Sequence, residues 1–88
     1  MVNRTEVSLN DEEALKAFRS IEESNLIDKV VQLREIYKEH LEGGVIQYTF
    51  VGMFNIHNSP EVSTCTIQLH DRPNENPRYK AISMQAVL

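Results

Sequence analysis

Three stretches in the second half of the chain, Val45–His57, Val62–His70 and Ala81–Leu88, contain no Asp, Glu, Lys or Arg. Each alternates with a period of two, the repeat of a β-strand whose successive side chains point to opposite faces. The charges of this half are Glu61, Asp71, Arg72, Glu75, Arg78 and Lys80, all in or beside the intervening turns. A small antiparallel sheet with one wet face normally carries charge on that face. A sheet built from these strands alone is uncharged on both faces, so its second face is expected to meet a partner.

Alternation assigns the faces. On the first strand Ile46, Tyr48, Phe50, Phe54 and Ile56 point one way, against Gln47, Thr49, Val51, Met53 and Asn55. The second sets Cys65, Ile67 and Leu69 against Thr64, Thr66 and Gln68, and the third sets Ile82, Met84, Ala86 and Leu88 against Ala81, Ser83, Gln85 and Val87. Closing a hairpin at Asn58-Ser59-Pro60-Glu61 places His57 opposite Val62, Phe54 opposite Cys65 and Tyr48 opposite Asp71. The loop Asp71–Arg78 then lets Ile67 face Ile82 and Cys65 face Met84. Apolar partners meet on one side in both hairpins, as a correct register requires. Gly52 on that side marks a bulge or a close approach.

The first half reads as helix. Asn10 serves as a cap, with Glu13 completing a box-like pattern, and Ala14, Leu15, Phe18 and Ile21 form an apolar stripe. The phase slips at Glu22-Glu23-Ser24-Asn25. A second stripe, Leu26, Val30, Leu33, Tyr37 and Leu41, predicts either a second helix over 26–42 or one kinked helix over 11–42. Gly43-Gly44 stops it, because glycine takes the left-handed conformation past a helix end. The expected fold is α+β: two N-terminal helices on one face of a three-stranded antiparallel β-meander, in the order α-α-β-β-β. The helical layer covers about 10–43 and the sheet layer about 44–88 of one domain, residues 1–88. Val2–Leu9 alternates weakly and offers a short N-terminal edge strand. This order occurs in many unrelated small folds and transfers no function.

Composition narrows the function classes. Eighty-eight residues, 41% hydrophobic and 25% charged, describe a globular domain rather than a disordered chain. A net charge of −4 with no cluster of Lys and Arg disfavours nucleic acid as partner. A single cysteine, Cys65, excludes an intrachain disulfide. No stretch approaches the roughly 18 apolar residues of a membrane span, and no signal peptide follows Met1, so a cytoplasmic location is expected.

No spacing names a reaction. Cys65 lies on the inward side, where a thiol behaves as a small hydrophobe. His57 and His70 sit near opposite ends of the second strand, roughly 26 Å apart at 3.3 Å per residue, too far to share a metal. His40 is a solvated residue near a helix end. Tyr48, Phe50 and Phe54 could stack bases, but they lie on the side the helices need. The helix acids form a solvated face, with Glu12 and Lys16 at pairing distance. No metal, cofactor or catalytic residue is assigned.

The outer sheet surface carries the expectation instead. Val51, Met53, Val62, Thr64, Thr66, Gln68, Ala81, Ser83, Gln85 and Val87 form a neutral, semi-apolar patch of the kind that marks interfaces. The free edges of the first and third strands offer edge-to-edge pairing as a second route. The expected function is a non-enzymatic protein-binding or regulatory module, of inhibitor or adaptor type as in small bacterial or phage proteins. It acts through that face or edge as a homodimer, on itself or on another protein. The alternative is a small-ligand-binding protein or minor enzyme with a pocket between sheet and helices, where Tyr48 and His57 come first.

Overall fold

The computed structural model describes residues 4–86. They form β1 (Arg4–Val7), α1 (Glu12–Glu23), β2 (Ile27–His40), a 3-10 turn (Glu42–Gly44), β3 (Ile46–Ile56), β4 (Ser63–Asp71) and β5 (Tyr79–Ala86). The strands make one antiparallel sheet in the order β1-β2-β3-β4-β5, and α1 packs on one face of it. The architecture is α+β, but with one helix and five strands. It corrects the expectation of two helices over a three-stranded meander, and of a helical layer reaching residue 43.

Local chemistry sets the limits of α1. Asp11 is the cap, one residue later than the expected Asn10: its backbone is extended and its Oδ1 accepts the Ala14 N–H at 3.0 Å. Glu12 and Glu13 follow in the first turn, where the helix dipole favours acids. The helix ends at Ser24, and Asn25 takes a left-handed φ of 62° that no helix continues through. Ala14, Ala17, Phe18 and Ile21 are buried against the sheet. Phe18 reaches Phe50 and Phe54, with ring centroids 5.0 and 5.7 Å apart.

The segment expected as a second helix is β2, and three bulges explain the resemblance. Opposite Ile56, Phe54, Gly52 and Phe50, spaced by two on β3, stand Ile27, Val30, Leu33 and Ile36, spaced by three on β2. Asp28, Val31 and Arg34 are the extra residues, and all three are exposed. An inward apolar residue at every third position falls close to the 3.6-residue period of a helix, so a triply bulged strand mimics an amphipathic one. Gly43 and Gly44, both at φ 76°, close the β2–β3 hairpin rather than end a helix. His40 accordingly ends a strand, not a helix.

Gly52 sits against these bulges. A Cβ there would lie 2.3 Å from the Gln32 carbonyl oxygen and 3.0 Å from Leu33 Cα, so only glycine lets the two backbones approach. The short edge strand near the N-terminus is present as β1, which pairs Arg4 with Glu39 and Val7 with Ile36. Val2 lies outside the described residues.

The expected faces of β3 and β4 hold, but both hairpins shift by two residues. Phe54 faces Ser63, Gly52 faces Cys65 and Tyr48 faces Leu69. On β5, Ile67 faces Met84 and Cys65 faces Ala86. An irregularity between Ala81 and Ser83 makes Ile82 the extra residue, 44% exposed, and turns Ala81 inward opposite Leu69. Both residues were expected on the opposite sides. Leu88 lies outside the described residues.

The core consists of the α1 stripe with Ile27, Ile36, Tyr48, Phe50, Phe54, Cys65, Ile67 and Leu69. Two polar residues are buried as well, Thr49 on the opposite face of β3 and Asp71 at the end of β4. Asp71, 2% exposed, accepts from Arg78 Nε at 2.8 Å and from Nη2 at 3.2 Å. Arg78 Nη2 also lies 3.7 Å from Glu13, so one guanidinium ties the first turn of α1 to the end of β4.

Candidate functional site

Among the described residues the sheet ends in β1 on one side and β5 on the other, so β3, expected as a free edge, is covered by β2, and the two sides differ in character. β1 is open on its far side and carries Arg4 and Glu6. β1 covers only Ile36–Glu39, leaving the half of β2 over residues 27–35 without a neighbour on that side. This half carries three bulges and the charges Asp28, Lys29, Arg34 and Glu35, devices that keep a foreign strand from adding. β5 has no strand on its far side. It carries one irregularity and one charge, Lys80 near its start, and residues 81–86 are neutral.

Beside the β5 edge lies a groove of about 290 Å³ between α1 and the sheet. Ser20, Ile21 and Ser24 line it from α1 and its cap, Leu26 from the residue before β2, Leu69 from β4, and Tyr79, Lys80 and Ala81 from β5. Both serine hydroxyls donate back into their own helix, to Ala17 and Ile21 carbonyls at 2.6 and 2.9 Å. Their commitment leaves the groove mainly apolar. Burial raises the Tyr79 pKa, and Arg78 opposes that shift.

The outer face keeps most of the expected patch together. Val51 pairs with Thr66, Met53 with Thr64, Gln68 with Ser83 and Thr66 with Gln85, all on the face away from α1. Val62 lies in the loop before β4, Ala81 on the helix side, and Val87 outside the described residues. The face is also less neutral than three strands suggested. β2 sets Glu35 opposite Val51 and Glu39 opposite Gln47, and Arg34 Nη2 reaches Met53 Sδ at 3.4 Å. Arg4 lies 3.9 Å over the Tyr37 ring, and Tyr37 OH bonds Glu35. Apart from Lys80 on β5, the charge of this face stands on β2 and β1, and β2 is the strand whose periodicity reads as helix.

The histidines do different things. His57 Nδ1 lies 2.8 Å from Asp28 Oδ1 where β2 begins, with both side chains about half exposed. His70 sits at the other end of the hairpin, where Nε2 donates to Gln47 Oε1 at 3.0 Å. Its Nδ1 is enclosed with no partner among the described residues. Desolvation, aided by the Arg72 charge, lowers the His70 pKa from its usual value. Cys65 is buried on the inner side beside the Ser63 hydroxyl at 3.3 Å. Tyr48 is buried in the core, where desolvation first and the Asp71 charge next push its pKa up to about 12. Neither Tyr48 nor His57 lines the groove.

The expected Glu12–Lys16 pair is replaced by Glu13 and Lys16 at 3.8 Å. Among the described residues no three His, Cys, Asp or Glu side chains gather to hold a metal ion, and no helix is long and apolar enough to cross a membrane. The groove and the asymmetry between the edges carried no sequence motif. The only signal for β5 as the open edge was its lack of charge. Comparisons with protein-family models, with curated proteins and with solved structures find no match to this chain.

Proposed function

We propose that the protein is a non-enzymatic protein-binding module that forms a homodimer by pairing the β5 edges of two copies into one continuous sheet. The observation that supports this reading most strongly is the contrast between the guarded β2 edge and the unguarded β5 edge. Strand addition takes its affinity from main-chain hydrogen bonds and needs an incoming segment that is extended, unpaired and free of repelling charge. β5 itself meets those conditions. Pairing also doubles the outer strip around Val51, Thr66, Ser83 and Gln85, giving a regulatory partner one wider neutral surface.

The groove supports a second reading as a small-ligand site. Its volume of about 290 Å³ falls just below the roughly 300–1,000 Å³ usual for such pockets, and its lining includes Tyr79, Lys80 and Ala81 of the edge strand β5. The dimer reading accounts for both features.

The test is Ile82→Lys, which adds a guarding charge at an exposed position outside the core. Sedimentation equilibrium is expected to show wild-type self-association and a monomeric variant that melts like wild type diluted to its monomeric state. A wild-type monomer at high micromolar concentration, or a variant that associates as well as wild type, contradicts the proposal.

A further inference from the structure

We infer that Met84 of a second copy seats in the groove between α1 and β5, so that each protomer supplies both a knob and a socket at the interface. The inference rests on the edge pairing proposed above and specifies its register. In an antiparallel β5 pair related by a two-fold axis normal to the sheet, both inner faces stay on the same side. The inner residues of β5 are Tyr79, Ala81, Met84 and Ala86, since they oppose Asp71, Leu69, Ile67 and Cys65. An axis between Ile82 and Ser83 pairs Ala81 with the second copy's residue 84, and Tyr79 with its residue 86. Inner residues then meet inner residues along the whole described strand, and the two irregularities at Ile82 fall together at the axis.

Charge agrees with this register. Lys80, the one charge on the strand, comes opposite the uncharged residue 85 of the second copy. The two lysines stand about five residues apart along the ladder, roughly 16 Å at 3.3 Å per residue. That exceeds the screening length of about 8 Å at physiological salt.

The socket suits the knob. Ala81 and Tyr79 are at once the residues that pair with the incoming strand and part of the groove lining. A side chain arriving at position 84 therefore points toward Ile21, Leu26 and Leu69. A dry apolar cavity of about 150 Å³ takes up a benzene ring. The 290 Å³ groove has room for an unbranched thioether, which adapts to irregular spaces. Met84 is partly buried against its own core and is not enclosed by it, so it keeps exposed surface for such a contact.

A mixed sample of ¹³C-labelled and unlabelled chain tests this directly. Isotope-filtered NOESY at a concentration where the dimer is populated is expected to show contacts from the Met84 methyl to Ala81 and Ile21 of the other copy. A populated dimer without those contacts overturns the register and the socket. Ser20→Phe adds bulk at a residue that lines the groove and is expected to weaken dimerisation at least tenfold, with helix content retained and the melting temperature of the dilute, monomeric protein unchanged. If Ser20→Phe associates like wild type while Ile82→Lys is monomeric, the socket is wrong and the edge pairing stands. If Ile82→Lys also associates, the edge pairing itself is wrong. The NOE experiment on the wild-type chain decides the question without any variant.

Discussion

Leu33 on β2 faces Gly52 on β3 across a gap that admits no Cβ. An atom there would meet the Gln32 carbonyl oxygen at 2.3 Å and Phe54 Cζ at 2.9 Å. The Phe54 ring leans over the glycine, and Phe18 from α1 packs on that ring. Bulges on one strand, a glycine on the next and an aromatic cluster above them thus form a single packing unit. Gly52→Ala is expected to destabilise the fold toward the upper end of the roughly 1–3 kcal/mol typical of overpacking, because backbone must move. Urea denaturation of the variant measures it, and an unchanged midpoint would show that β2 does not crowd Gly52.

The Arg78 guanidinium holds Asp71 through two hydrogen bonds and Glu13 at longer range. Pairing with Asp71 keeps Arg78 protonated well above its ordinary range. Asp71→Ala removes the buried partner and is expected to cost about 1–3 kcal/mol, the scale of a charged hydrogen bond lost from a buried site. The β4–β5 loop and the first turn of α1 should loosen together. Amide exchange around Arg72, Arg78 and Ala14 reads that coupling, and faster exchange in the loop alone would place Glu13 outside the unit.

Folding stability should depend on pH through His70. Desolvation and Arg72 lower its folded pKa, so the folded protein binds this proton less readily than the unfolded chain. The contribution is complete above the unfolded value near 6.5, declines as the pH falls through it, and levels off below the folded value. Thermal melts between pH 7.5 and 5 should show a loss for wild type that is smaller in His70→Gln. Equal losses in the two proteins would mean that acids elsewhere carry the dependence.

How far the fold could be read from sequence depended on the regularity of each strand. β3 and β4 run without bulges against each other, so Tyr48, Phe50 and Phe54 and their partners Cys65, Ile67 and Leu69 announced their face by parity alone. Their register was off by two because the connection is lopsided: Phe54 opposite Ser63 is the last β3–β4 pair, so residues 55–62, with Asn58 left-handed, close the hairpin in place of the tight tetrad 58–61. β2 defeated the same logic, since three inserted residues convert a period of two into three. Its β-branched and aromatic residues, Val30-Val31 and Ile36-Tyr37, pointed toward a strand, but propensity is weaker than periodicity as a signal. The neutral strip was legible because it lies on β3 and β4. The charge beside it was not, because it stands on β2. No local pattern records that α1 and β5 leave a groove between them, since Ile21, Leu69 and Ala81 are far apart in sequence.

The claim that β5 is the pairing edge and β2 is not is tested most directly by residue-resolved hydrogen exchange at two protein concentrations. On raising the concentration from low to high micromolar, backbone amides within 80–86 that face the free side should become more protected. Amides on the free side of β2, residues 27–35, should not change. Exchange at β5 that is independent of concentration, or new protection along β2 instead, would contradict the account.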